Sequence, residues 1–261
     1  KTEPKYHAVA HPALAEAEAT GRAVALAGIA GAPLYVVHMT CEEAVPMISV
    51  LPDSLPVAAG VALAFKIRSE AHVAMTWLGE GATSTGAFHE ALNLAAVQTL
   101  PLVVIVENNQ WALSTPTHRE FASPRIADRA PGYGIPGRQV DGNDVEAVFH
   151  AAAEAVDRAR GGDGPTLIEA VTMRMRGHSI IDPARYVPPE QLDAWRERDP
   201  IEVYRTRIEN LGLWTTEDET GLRGSVGEQI EAALEQAAAM ADPRPEDAAN
   251  GVVAETAELG P

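Results

Sequence analysis

Two short segments carry side chains able to hold a divalent cation beside a phosphate. One is Leu78-Gly79-Glu80-Gly81-Ala82, the other Val106-Glu107-Asn108-Asn109-Gln110-Trp111. Glycines let backbone approach a phosphate closely and leave amides free, and Glu80 sets a carboxylate beside them. The asparagines offer an amide oxygen to a metal shell. A carboxylate, an amide oxygen, a backbone carbonyl and phosphate oxygens form a hard octahedral set suited to Mg²⁺. Taken singly, a Gly-x-Gly turn and an asparagine pair are common turn features. The weight lies in their combination, because Glu80 and Asn109 stand 29 positions apart and each follows an apolar run.

The elements around these segments must bring them together. Pro56 to Arg68 reads as a helix with Pro56 in its first turn, and Val73 to Leu78 as a strand. Ala87 to Thr99 reads as a second helix and Leu102 to Val106 as the next strand. One helix and one strand between Glu80 and Asn109 return the chain to the same edge of a sheet. Asn143 to Arg160 reads as a helix with Asn143 as its N-cap, and Thr166 to Thr172 as another strand. Strands alternating with helices predict an α/β fold, a parallel sheet covered by helices on both faces. In such a sheet, ligands bind outside the carboxyl ends of the strands. From Tyr186 onward three helical stretches are expected, near 188–199, 200–211 and 216–240, followed by an acidic, proline-bearing tail. Before the α/β part, residues 12–30 read as a helix and Leu34 to His38 as a short strand.

Composition narrows the partners. The 261 residues are 46% apolar, enough for a sizeable core, and carry a formal charge of −17. That charge repels nucleic acid and anionic membranes. The lysines are Lys1, Lys5 and Lys66, so positive charge rests mainly on arginine. Cys41 is the single cysteine, which allows no disulfide framework within the chain. No signal peptide or 18-residue apolar span stands out, so a cytoplasmic protein is expected.

At the level of wording, the strand-end segments resemble a known family. Trp77-Leu78-Gly79-Glu80-Gly81-Ala82-Thr83-Ser84, Phe88-His89-Glu90-Ala91-Leu92-Asn93 and Glu107-Asn108-Asn109-Gln110-Trp111-Ala112-Leu113-Ser114-Thr115-Pro116 look like the alpha subunit of the decarboxylating component of 2-oxo acid dehydrogenases. The similarity runs from about Ile48 into the 240s. Aspartate is commoner than glutamate at the position of Glu80, and branched-chain members carry glutamate. The resemblance implies a thiamine diphosphate-binding fold with a C-terminal helical extension. It implies that Glu80, the Asn109 side chain and the Trp111 carbonyl bind Mg²⁺, and that Gly79, Gly81 and Ala82 lie against the diphosphate. Ser49 and Leu51 match a segment that contacts the cofactor. His178, in Arg176-Gly177-His178-Ser179, matches the catalytic histidine of an active-site loop that also reaches the diphosphate. A cationic loop beside a diphosphate is physically sensible for Arg174, Arg176 and His178. His89, among apolar neighbours on a helix, is expected to be structural.

The family resemblance also implies partners. A beta subunit supplies the carboxylate that activates the cofactor and completes a two-alpha, two-beta assembly. A lipoyl-bearing acyltransferase receives the acyl group from a 2-oxo acid substrate. Residues 1–47 depart from this pattern. Lys5-Tyr6-His7-Ala8 and Ala32-Pro33-Leu34-Tyr35-Val36-Val37-His38-Met39-Thr40-Cys41 resemble part of a hydantoinase or dihydropyrimidinase, in which the match to His38 is a metal ligand. The Tyr-Arg pair that holds the diphosphate in the alpha subunit has no counterpart here. The expected division is therefore 1–47 as a hydantoinase-like fragment, 48–185 as the thiamine diphosphate and Mg²⁺ domain, and 186–261 as the helical region and tail. Beside the dehydrogenase reading stand an impaired chimeric remnant that keeps the fold, and a metal-dependent cyclic amidohydrolase.

Overall fold

The computed structural model describes residues 54–179 and 182–240. Ser49, Leu51, His38 with the rest of the 1–47 segment, and the tail lie outside the described residues. Helix α1 (Ser54–Ile67) leads into strand β1 (Ala74–Gly79), helix α2 (Gly86–Val97) and strand β2 (Leu102–Asn108). Two short antiparallel strands, β3 (Trp111–Ala112) and β4 (Thr115–Pro116), follow directly. Strand β5 (Gly137–Asp141), helix α3 (Val145–Arg160) and strand β6 (Thr166–Val171) complete the α/β part. The main sheet has the order β1-β2-β6-β5 and every pairing in it is parallel.

Strand β2 is buried from Leu102 to Val106, the continuous apolar run that a central parallel strand requires when helices cover both faces. Side-chain alternation splits that run between two cores. Leu102, Val104 and Val106 pack with α1 and α2 through Leu55, Ala59, Leu92 and Ala95. Val103 and Ile105 pack with α3 through Ala151, Ala155 and Val156. The two-faced parallel sheet expected from sequence is what forms.

Local chemistry sets the helix starts. The Thr85 side chain accepts from the Phe88 amide and caps α2. At α3 the cap is Asp144, whose carboxylate accepts from the amides of Glu146 and Ala147. This corrects the expectation for Asn143, whose side chain is engaged elsewhere: its Oδ1 accepts from Thr172 Oγ1 at 2.6 Å and its Nδ2 donates to the Arg198 carbonyl at 2.7 Å. Three further helices follow, α4 (Pro189–Arg196), α5 (Pro200–Asn210) and α6 (Thr216–Ala239). Helix α4 is tied to the strand ends, because Leu192 and Trp195 pack beside Trp111, Met173 and Val187. Among the described residues, no helix is long and apolar enough to cross a membrane.

Candidate functional site

The register of the sheet places the two sequence segments side by side. Gly79 pairs with Glu107, and Glu107 with Ala170, so the carboxyl ends of β1, β2 and β6 are level. A 3-10 turn, Glu80–Ser84, opens directly on β1 and keeps Gly79, Gly81 and Ala82 at this edge. The Thr83 hydroxyl donates back to the Glu80 carbonyl at 2.7 Å. A Cβ on Gly81 would lie 2.5 Å from that of Ala112, so the turn packs against β3 only as glycine. At Gly79 the same position faces open space.

Glu80 is almost wholly buried, at 1% exposure. Its Oε2 accepts from the Asn109 amide at 3.2 Å, which joins the two segments in space. Its Oε1 is buried with no hydrogen-bond partner among the described residues. Burial holds this carboxyl above the usual range, opposed by the amides of Asn109 and Trp111 and by the charge of Arg174. The Asn109 Oδ1 accepts from the Trp111 amide at 3.3 Å, and the Trp111 carbonyl accepts from Arg174 Nη1 at 2.7 Å. Glu80, Asn109 and Trp111 thus lie together in one hydrogen-bonded loop cluster.

The donor set fits a divalent cation. A buried carboxylate oxygen without a partner costs free energy until a proton or a cation meets it. Among the described residues, no three His, Cys, Asp or Glu side chains gather into a metal shell. A cation at Glu80 would therefore draw on amide, carbonyl and ligand oxygens, the set that suits Mg²⁺.

Several neighbours were not foreseen from sequence. Glu107 and Glu120 are both pushed up, first by burial and then by the nearby charge of Glu80. Arg129 Nη1 donates to the Thr83 carbonyl at 2.7 Å, and its guanidinium stacks 5.2 Å from the Phe121 ring centroid. This fixes a positive charge on the glycine turn. Arg174 also donates to the Leu113 carbonyl at 2.6 Å and the Tyr186 hydroxyl at 2.7 Å. No spacing rule marks these arginines, since the sequence has many.

His178 lies on the loop after β6 with an exposed side chain. Its amide donates to Asp182 Oδ2 at 2.8 Å, and that same oxygen accepts from the Tyr186 hydroxyl at 2.5 Å. A Cβ on Gly177 would run into the Asp182 backbone, so this turn needs glycine for close approach. His89 meets the Tyr133 hydroxyl, with its ring edge-on to Phe88 and tilted against Tyr133.

Fold and site define an α/β protein that gathers carboxylate, amide and carbonyl oxygens beside a glycine turn at level strand ends. The family model described as dehydrogenase E1 component matches residues 17–246, and the chain belongs to that family. The match begins inside the 1–47 segment. Among curated relatives, the chain is 52% identical over 171 residues to a protein named 3-methyl-2-oxobutanoate dehydrogenase subunit alpha from Mycobacterium tuberculosis, covering 63% of this chain and 47% of that one. It is 41% identical over 182 residues to a pyruvate dehydrogenase E1 component subunit alpha from Staphylococcus aureus, covering 69% and 49%. A protein of the same name from Acholeplasma laidlawii is 43% identical over 176 residues, covering 67% and 51%. The chain spans about half the length of the curated relatives it matches.

Proposed function

We propose that the chain acts as the alpha subunit of a thiamine diphosphate-dependent 2-oxo acid dehydrogenase, holding the Mg²⁺ and diphosphate half of the cofactor site. The observation that carries this reading is the buried Oε1 of Glu80, without a hydrogen-bond partner among the described residues, on a carboxylate whose Oε2 accepts from the Asn109 backbone amide. The names of the relatives, which specify two 2-oxo acid dehydrogenases, support the substrate class.

In this reading Glu80, the Asn109 amide oxygen and the Trp111 carbonyl hold Mg²⁺. Gly79, Gly81 and Ala82 lie against the diphosphate, with Arg129 balancing its charge from the far side of the turn. Asp182 and Tyr186 hold the backbone at His178, leaving the imidazole free to reach the diphosphate near the reacting centre. When bound, the cofactor supplies the nucleophile for the 2-oxo carbon and accepts the electrons left by departing CO₂. The chain's own part is to bind, orient and neutralise. Half a site needs a partner, so a beta subunit supplies the activating carboxylate and a lipoyl-bearing acyltransferase takes the acyl group.

Calorimetric titration of thiamine diphosphate with Mg²⁺ into this chain mixed with a beta subunit tests the reading. Binding that depends on Mg²⁺ and disappears in Glu80→Ala is expected. Equal binding by Glu80→Ala and the unaltered chain would refute it.

A further inference from the structure

The two adjacent asparagines serve different structures. Asn109 meets Glu80 through its backbone amide, whereas the side chain of Asn108, 7% exposed, turns toward strand β6. Asn108 Nδ2 donates to Glu169 Oε1 at 2.7 Å, and Glu169 Oε2 accepts from the Ala127 amide at 3.0 Å. Glu169 is fully buried in the middle of an apolar strand, level with Val106. Both groups that meet it are N–H donors. Each carboxylate oxygen therefore has to accept, and a glutamine there would turn its own NH₂ toward one of them.

The contact continues to the metal loop. Asn108 Oδ1 accepts from Gln110 Nε2 at 3.0 Å and from the Gln110 amide at 3.4 Å, and Gln110 Nε2 also reaches the Asn108 carbonyl at 3.1 Å. Gln110 has φ of +77°, a left-handed conformation that a non-glycine residue keeps only where its surroundings over-determine it. It sits between Asn109 and Trp111. Its backbone direction therefore sets how the chain passes from the Asn109 amide at Glu80 to the Trp111 peptide. Ala127, at the other end of the chain of bonds, belongs to the 3-10 segment Ile126–Tyr133 that also carries Arg129.

We infer that Glu169 is a positioning residue for the metal loop. Through Asn108 it locks Gln110 in the left-handed conformation that sets the Asn109–Trp111 backbone beside Glu80, whose Oε2 accepts from the Asn109 amide. This rests on the Mg²⁺ reading above. A carboxylate that merely filled a polar gap in the core would lower stability when altered and leave metal affinity alone.

The test titrates Mg²⁺ into the chain paired with a beta subunit at saturating thiamine diphosphate, well below the unfolding temperature. Glu169→Gln and Asn108→Ala are each expected to raise the Mg²⁺ dissociation constant about 10- to 100-fold, the usual effect of losing a support behind a metal ligand. Amide exchange at Gln110 and Trp111 in the metal-free chain should quicken, while Leu102–Val106 stays protected. A Glu169→Gln protein with lowered Tm but an Mg²⁺ constant within about twofold of the original overturns the inference. Should that variant not fold, Asn108→Ala is judged by the same criterion. Glu80→Gln separates the two levels. If it too leaves Mg²⁺ binding intact, the site reading itself falls; if it alone abolishes binding, only the positioning role of Glu169 is lost.

Discussion

Arg174 Nη1 donates to the Trp111 carbonyl at 2.7 Å, although 63 residues separate them. A carbonyl oxygen has two lone pairs, so this bond leaves one for a cation. The same guanidinium bonds Leu113 and Tyr186, and Tyr186 bonds Asp182, which holds the His178 amide. The Trp111–Leu113 loop and the His178 loop are therefore joined by hydrogen bonds through Arg174, Tyr186 and Asp182.

That connection makes the His178 loop sensitive to Tyr186 and to pH. Tyr186→Phe removes the hydroxyl that links Arg174 to Asp182, and amide exchange at His178 and Ala184 should rise roughly tenfold, the scale of one lost hydrogen bond. Asp182 is held below the usual aspartate range, chiefly by the Tyr186 hydroxyl and then by the Ala184 and His178 amides. A depressed folded value means the contribution is complete above the ordinary value and disappears as pH falls through the depressed one. Protection of these amides should therefore survive down through the ordinary aspartate range and vanish below it. NMR-detected exchange across acid pH checks this, with Asp182→Asn expected to erase the transition.

Glu80 has the opposite sign. Burial raises its folded value, so ionisation above that value opposes folding of the metal-free chain. Glu80→Gln should raise the Tm of the metal-free protein at neutral pH, an advantage that fades toward pH 4. Addition of Mg²⁺ with thiamine diphosphate should stabilise the unaltered protein and not the variant. Thermal melts with and without both additions, at neutral and acid pH, measure each part.

The glycines of the turn differ in kind. Gly81→Ala drives a methyl to 2.5 Å from the Ala112 Cβ, an overpacking expected to cost about 1–3 kcal/mol. Gly79 has φ of −74° and open space at its Cβ position. Gly79→Ala should move stability by less than about 0.5 kcal/mol yet weaken thiamine diphosphate binding if the diphosphate occupies that space. Denaturant melts paired with cofactor titrations separate the two, and a Gly81→Ala protein as stable as the original would contradict the packing seen here.

Periodicity made most of the α/β part legible. β1, α2, β2 and β6 fall within two residues of their expected limits, because their apolar runs are long and bounded by glycine or proline. Strand β5 was not legible: Gly-Arg-Gln-Val-Asp buries only Val140, as an edge strand can. Nor were β3 and β4, two residues each and set by hydrogen bonds at the loop rather than by pattern. The Glu80–Asn109 meeting was readable because one helix and one strand between two strand ends can return only to the same edge. Arg129 was not, since its partner is a backbone carbonyl distant in sequence, and Arg174, expected only as a charge on the His178 loop, also holds the Trp111 and Leu113 carbonyls. Glu169 carried a signal that periodicity alone overlooks, a charge inside an otherwise apolar buried strand.

The Asn108 side chain meets Glu169 and the Asn109 backbone amide meets Glu80, which makes the stagger between β1 and β2 a gauge of a single residue. Side chains alternate along a strand, so a slip of β2 by one position would turn the Asn108 side chain away from Glu169 and carry the Asn109 amide away from Glu80. Glu169 would then lose the Asn108 amide group and Glu80 the backbone N–H that its Oε2 accepts from. The connection through α2 must keep Phe88, Ala91, Leu92 and Ala95 in the core, and an insertion or deletion there survives only if a loop absorbs it before Leu102.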